Sequence, residues 1–294
     1  MSFAAAASAQ GAAFLDYNPD AKALGVAGAS AVQEATAFSV WNNGAASVFS
    51  DDKFSAGVSY AMWQPSFADV QQIAAAGYGR ISDRWSINAG FRYDAYQPME
   101  TVDENGIYSG SFTPVGMHAT VGAAFRIIPS LAVSASASFV HSDIGGPQAA
   151  DAAAFDIGLL YMLGNFRAAL TAANLGTSLN YGGTNRYMLP ARVDLGVGYG
   201  IGHSGGRHTL DISAQGCCLL AGGARAAAGL RYCFNGMVNV AAGYNYGLSG
   251  GLPSYATLGA GLSFFGVSLD FACMLASADT PMSGTMVINL SYAF

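Results

Sequence analysis

The sequence predicts an all-β protein, a transmembrane antiparallel β-barrel of about 14 strands with an N-terminal plug segment. Three observations make that prediction. From Lys53 onward, large apolar residues alternate by twos with small or polar ones, the period of a strand that shows a different environment on each face. The charged residues fall in phase, on the face opposite the apolar series. The connections between these stretches are short and long in turn, as in barrels whose hairpins end in tight turns on one side of a membrane and in loops on the other.

Composition points the same way. Of 294 residues only 10% are charged, 52% are hydrophobic and 38 are glycine, which does not describe a water-soluble enzyme. A membrane helix needs about 20 consecutive apolar residues to cross about 30 Å of hydrocarbon, and no such run exists. The most apolar stretch, 219–230, is broken by glycines and by Arg225. A strand crosses with about 10 residues and needs apolar side chains at alternate positions only, so its hydrophobicity is hidden from a running average. The net charge of -6, with no basic stripe, excludes nucleic acid as a partner.

Residues 1–9 end in Ala7-Ser8-Ala9, an A-x-A site of the kind cut after a secretory leader, and are read as a signal-peptide remnant. Residues 10–52 do not alternate. They carry a turn or cap at Asn18-Pro19-Asp20, a small-residue run from 21 to 29 with Leu24, Gly25 and Gly28, and a second run around Trp41, Asn42 and Asn43. Small residues let a folded segment lie tightly on a wall, so this segment is expected inside the lumen or across its periplasmic mouth as a plug.

Residues 53–294 form the expected barrel. The clear strands are 54–62, 85–93, 117–125, 131–139, 155–161, 193–199, 238–244, 267–271 and 286–294; weaker ones are 73–81, 166–172, 210–214, 226–232 and 258–264. A basic residue facing mid-bilayer lipid costs about 2–4 kcal/mol. Arg92, Asp94, Arg126, Asp156, Arg167, Arg192, Asp194, Asp211, Arg225, Arg231 and Asp270 are therefore expected to face the lumen. They could line a path or pair with one another; structural pairing is the preferred reading. Inward glycines, among them Gly57, Gly90, Gly122, Gly158, Gly196 and Gly229, leave room for a plug or a slender ligand. Aromatics near strand ends, including Trp63, Trp85, Tyr199, Tyr244, Tyr292 and Phe294, are expected in interfacial girdles.

Short turns fall at 82–84, 128–130, 164–165, 235–236 and 265–266, and long loops at 97–114, 141–151, 176–190, 247–253 and 276–284. The connections at 202–207 and 218–223 break the rule and weaken the register between 200 and 235. Placing the short turns in the periplasm puts the C-terminus there and the long loops outside a bacterial outer membrane, in contact with its lipid and lipopolysaccharide. Enzymatic sites are not expected. Gly247 to Gly251 matches G-x-S-x-G but is followed by Leu252-Pro253 and a strand, not by the helix a nucleophile elbow requires. The four histidines are scattered and Cys217, Cys218, Cys233 and Cys273 lack metal spacing, so no metal or cofactor is expected.

Residues 289–294 alternate and finish on an aromatic carboxy-terminus, which resembles the terminal strand signal of outer-membrane barrels. The run 21–29 followed by 41–45, together with Ser59 to Trp63, Phe91-Arg92-Tyr93, His141-Ser142-Asp143, Asn174-Leu175-Gly176, Leu189 to Arg192 and Ala242-Gly243-Tyr244, resembles FadL-like outer-membrane proteins. The likeness is strongest to their PorV/PorQ branch from the Bacteroidota, with Asn43-Gly44 where that branch has Pro-Ala. The resemblance implies a non-enzymatic barrel that binds other outer-membrane or secreted proteins. Such a barrel would serve type IX secretion, or be an accessory subunit of an assembly such as the barrel-insertion machinery. The alternative it implies is a FadL-like channel for hydrophobic small molecules, with a hydrophobic ligand in the lumen.

Overall fold

Strands with one greasy and one polar face satisfy both, and leave no backbone edge unpaired, only by closing into a ring within hydrocarbon. In the computed structural model, which describes residues 11–65, 67–102, 108–145, 148–202, 206–277 and 280–294, they do so. The chain forms β1 (Phe54–Trp63), β2 (Val70–Arg80), β3 (Trp85–Ala95), β4 (Met99–Val102), β5 (Tyr108–Phe112), β6 (Val115–Ile128), β7 (Leu131–Asp143) and β8 (Ala150–Leu163). It continues with β9 (Phe166–Gly176), β10 (Arg192–Ile201), β11 (His208–Leu219), β12 (Ala224–Phe234), β13 (Val238–Ser249), β14 (Tyr255–Phe264), β15 (Val267–Leu275) and β16 (Met286–Ala293). Strands β4 and β5 form a separate hairpin, and the other fourteen make a closed antiparallel barrel in which β3 pairs with β6. The last strand closes on the first, with Tyr60 opposite Ile288.

The two faces differ sharply. Phe91 is 48% exposed while its neighbour Arg92 is 2% exposed; Ile288 is 43% exposed while Asn289 is 2%. Strands β10 and β11 pair in continuous register from Arg192 opposite Leu219 to Ile201 opposite Leu210, so the irregular connection lengths on either side do not disturb the ladder. Trp85, Tyr199, Tyr244, Tyr292 and Phe294 face outward and are exposed. Trp63 does not join the expected girdle. It ends the inward series Ser55, Gly57, Ser59 and Ala61, is buried, and packs on Tyr17 with ring centroids 6.0 Å apart.

The N-terminal segment runs through the ring. Gly11 donates its N–H to the Met188 carbonyl at the loop end, and Ser50 accepts at its carbonyl from Arg80 at the turn end (2.5 Å). Between them lie a 3-10 turn (Ala13–Asp16), α1 (Ala21–Gly25), α2 (Ser39–Asn42) and a second 3-10 turn (Gly44–Phe49). Asp20 caps α1 by accepting from the Lys22 N–H at 2.9 Å, as the Asn18-Pro19-Asp20 turn suggests. The segment packs on β13–β16 through α1, and on β2, β3 and β6–β8 through its second half. Apolar clusters close both ends. Phe14, Tyr17, Trp63 and Leu179 belong to the one at the loop end, Val32, Val48, Ala124 and Leu160 to the one at the turn end. The expected leader, residues 1–9, lies outside the described residues.

Candidate functional site

The eleven charged residues singled out by phase lie on the inner side of their strands, and most of them hold the N-terminal segment. Arg225 forks onto Asp16 with two bonds of 2.8 and 2.9 Å. Arg192 donates to Asp194 at 3.1 Å and stands 3.7 Å from Asp16. Lys22 pairs with Asp270 at 3.5 Å, and Asn239 also donates to that carboxylate. Arg167 pairs with Asp211, and Arg231 lines the small cavity beside them. Arg126 donates to the Val48 carbonyl and lies over the Phe49 ring. Asp156 accepts from Ser136 at 2.8 Å and from the Asn174 N–H at 2.6 Å. Asn174 has φ 57° and sits where the β8–β9 register shifts, so the carboxylate holds a bulge in the wall.

The segment's own polar groups behave in two ways. Burial raises the Asp16 carboxyl, but the charge and hydrogen bonds of Arg225, with Arg192 behind it, outweigh burial and hold it below its ordinary value. Burial also raises Asp20, and there it prevails over the hydrogen bond from Thr36 and the nearby Lys22 charge. Asn42 donates to Asp20 at 2.8 Å and Asn43 donates to the carbonyls of Ala31 and Leu159. Its Oδ1 also caps the turn that follows by accepting from the Ala45 N–H at 3.1 Å, the local consequence of asparagine at this position. Leu24 is buried, Gly25 faces Gly259 on the wall, and Gly28 has φ 84° at the end of α1.

The inward glycines are taken up largely by this segment. A Cβ on Gly90 would meet the Trp41 ring, one on Gly158 the Asn43 side chain, one on Gly196 Val32, and one on Gly229 the backbone of Val26. Besides the cavity beside Arg231, three small chambers remain. One, of about 40 Å³, is bounded by Trp41, Asn88, Arg92, His118, Asp156 and Arg192. A second, of about 80 Å³, is bounded by Asp16, Asp194, Gln215, Arg225, Asn245 and Tyr255. A third, of about 110 Å³, is bounded by Asp20, Lys22, Tyr78, Asp270 and Asn289. An apolar cavity of about 150 Å³ accepts benzene, so none of these chambers holds a hydrocarbon in this conformation. Among the described residues no cluster of three or more His, Cys, Asp or Glu is placed to hold a metal ion.

Sequence reasoning missed His118 and Asn88. His118 is buried and stands directly opposite Arg92 in the β3–β6 register. Only the pairing of two strands separated by the loop of β4 and β5 brings them together.

No family model matches the sequence, and no curated protein matches it. Solved structures do. The toluene transporter TodX of P. putida superposes with a TM-score of 0.65 at 14% identity, covering 95% of this chain and 98% of that one. The toluene transporter TbuX of Ralstonia pickettii gives 0.61 at 12% identity, covering 95% and 98%. A FadL homologue of Pseudomonas aeruginosa gives 0.60 at 13% identity, covering 94% and 98%. At these identities the likeness is one of architecture: the chain has the fold of the FadL-type outer-membrane barrels.

Proposed function

We propose that this protein is an outer-membrane channel for a hydrophobic small molecule, with residues 10–52 as its hatch, its long loops extracellular and its C-terminus periplasmic. The observation that carries the reading is the likeness to TodX and TbuX over nearly the whole of each chain, a span too large to omit either the barrel or the N-terminal segment. The small chambers then represent the resting state, and passage requires the hatch to shift. The inward charges hold the hatch by pairing and do not line a continuous path. Cells lacking the protein should take up labelled toluene or a long-chain fatty acid more slowly, and the intact gene should restore the rate. Equal uptake of both classes with and without the protein would remove this reading.

A second reading, a PorV-like barrel that binds secreted or outer-membrane proteins, is favoured by one observation. The N-terminal segment occupies the lumen and leaves only small chambers, while the outer face of β1–β3, β6–β8 and the adjoining β15–β16 has a broad concavity of about 1190 Å³. Ala75, Ala89, Ala119 and Ala137 lie there between Phe91, Val121 and Phe139. Gentle extraction that recovers a stoichiometric protein partner would favour it; recovery as a lone monomer would count against it.

A further inference from the structure

Trp41 divides the space between the N-terminal segment and the wall, for it lines both the chamber beside Arg92 and the one beside Asp16. Its ring fills a slot floored by Gly90, where a Cβ would fall 2.6 Å from the Trp41 Cζ2. Phe38 stacks on the ring with centroids 6.3 Å apart, and the Arg92 guanidinium and the His118 ring stand 5.7 and 6.4 Å from it. Packing alone holds the indole there, because its Nε1–H is buried and, among the described residues, has no acceptor. A buried donor left so costs about 1–3 kcal/mol, which weakens the hold of this rotamer. The second chamber, of about 80 Å³, gives the ring room to turn. The other unpartnered atoms around the first chamber are of both signs. Among the described residues, Arg92 Nε lacks an acceptor, Asn88 Oδ1 lacks a donor, and His118 has no partner at either nitrogen, where a neutral imidazole offers one of each. All three side chains are more than nine-tenths buried. Charge is already balanced: Arg192 is paired with Asp194 and Asp16, and Asp16, Asp94 and Asp156 are the counter-charges of Arg92. The chamber therefore calls for a neutral group that both donates and accepts, and not for an ion.

We propose that the place of the Trp41 ring is a binding site for a small neutral aromatic molecule carrying a hydroxyl or a ring N–H, of the phenol or indole class, and that Trp41 is its door. With the indole turned towards the second chamber, the ligand ring lies over Gly90 against Phe38, and its polar atom reaches Asn88, Arg92 and His118. A single ring is smaller than the indole it replaces, so the wall need not move. A plain hydrocarbon would leave those three groups unsatisfied, and an alkyl chain would also forgo the flat stacking that Phe38 and Gly90 allow. The proposal rests on the channel reading for how the ligand reaches the slot, and not for the binding itself.

The test uses the full chain extracted into detergent, with phenol as the probe and anisole, the same ring with an oxygen that cannot donate, as its control. Calorimetric titration should show phenol binding saturably, about tenfold or more tightly than anisole. Trp41→Ala should bind phenol about tenfold more tightly than the parent, because no ring has to be displaced. Asn88→Leu should abolish the preference for phenol over anisole; if it does not fold, the first two comparisons decide. Crystals soaked in 4-bromophenol should carry an anomalous bromine peak beside Gly90 on the inner side of the wall, with the Trp41 ring turned out. Bromine found only on the outer wall, or equal phenol affinity in Trp41→Ala and the parent, overturns the proposal. Its failure is separable from that of the channel. Phenol bound in the slot of a protein that speeds no uptake keeps the site and removes the channel, whereas toluene uptake by a protein whose slot stays empty in phenol does the reverse.

Discussion

The wall from β11 to β16 and the wall from β3 to β10 hold the same N-terminal segment by different means. On the first side, backbone lies on backbone. A Cβ on Gly243 would stand 2.6 Å from the Val26 carbonyl carbon and 2.7 Å from the Ala27 nitrogen, and one on Gly259 would stand 3.1 Å from the Gly25 Cα. Wall side chains there reach segment carbonyls directly, Thr257 to Gly25, Asn245 to Ala27 and Asn289 to Pro19. On the second side, side chains make much of the contact. The Trp41 ring covers Gly90, the Phe14 ring covers Gly116, and a chamber of about 40 Å³ lies between segment and wall. A side chain can change rotamer, whereas a backbone seated on glycine has nowhere to go. The β11–β16 side is thus the anchor, and a moving hatch would open towards β3–β10.

The substitution that strains this comparison most is Gly243→Val. Its added carbons meet main chain that cannot rotate away, so we expect a loss of about 3 kcal/mol, at the upper end for overpacking, and release of the segment. Limited proteolysis should then cut within 11–50 while the barrel stays folded by its heat-dependent gel shift. A protected segment with under about 1 kcal/mol lost would mean that the anchor yields. Next in size is Arg225→Met. It removes both bonds of the Asp16 fork and leaves Arg192 at 3.7 Å as the remaining cation. Breaking a fully buried pair costs about 3–5 kcal/mol, and partial exposure of this one reduces the expectation to about 2. Denaturant unfolding of the two proteins measures the difference.

Gly90→Ala sharpens the contrast from the other side. The new methyl meets the edge of the Trp41 ring, which can tilt into the chamber beside it, so we expect about 1 kcal/mol or less and a shift in tryptophan emission. A loss as large as that of Gly243→Val would erase the distinction between the two sides.

Which of these features could be read in the sequence depended on whether local phase carried them. Phe91 and Arg92 were separable because two constraints agree at every strand: the period of two, and the cost of charge in lipid. The same logic, applied to Ser55, Ser59 and Trp63, places that indole inside; its position at a strand end had suggested a girdle instead. The small residues of 21–29 signalled close packing but not the path through the barrel, because glycine reports tolerance of a neighbour and not its identity. The chamber was illegible. Trp41, Arg92 and His118 sit in three separate elements, and their meeting depends on the β3–β6 register across a long loop, which no spacing rule encodes.

The smallest expected effect distinguishes two carboxylates four residues apart on the segment. Asp16 is held below its ordinary value by Arg225 and Arg192, so its stabilising contribution is complete above about pH 4 and is lost only as pH falls through the depressed value. Asp20 is raised by burial, so its ionised form subtracts stability at neutral pH, and the protein recovers that loss as pH falls through the raised value. The deficit of Asp16→Asn should therefore stay constant between pH 7 and about pH 5, while the parent should gain on Asp20→Asn as acidity increases towards pH 4. Melting curves of the three proteins across that range separate the cases. An Asp16→Asn deficit that shrinks between pH 7 and pH 5 would show that carboxylate already taking up protons there. The ion fork would then contribute little to the anchor, which would rest on the glycine contacts alone.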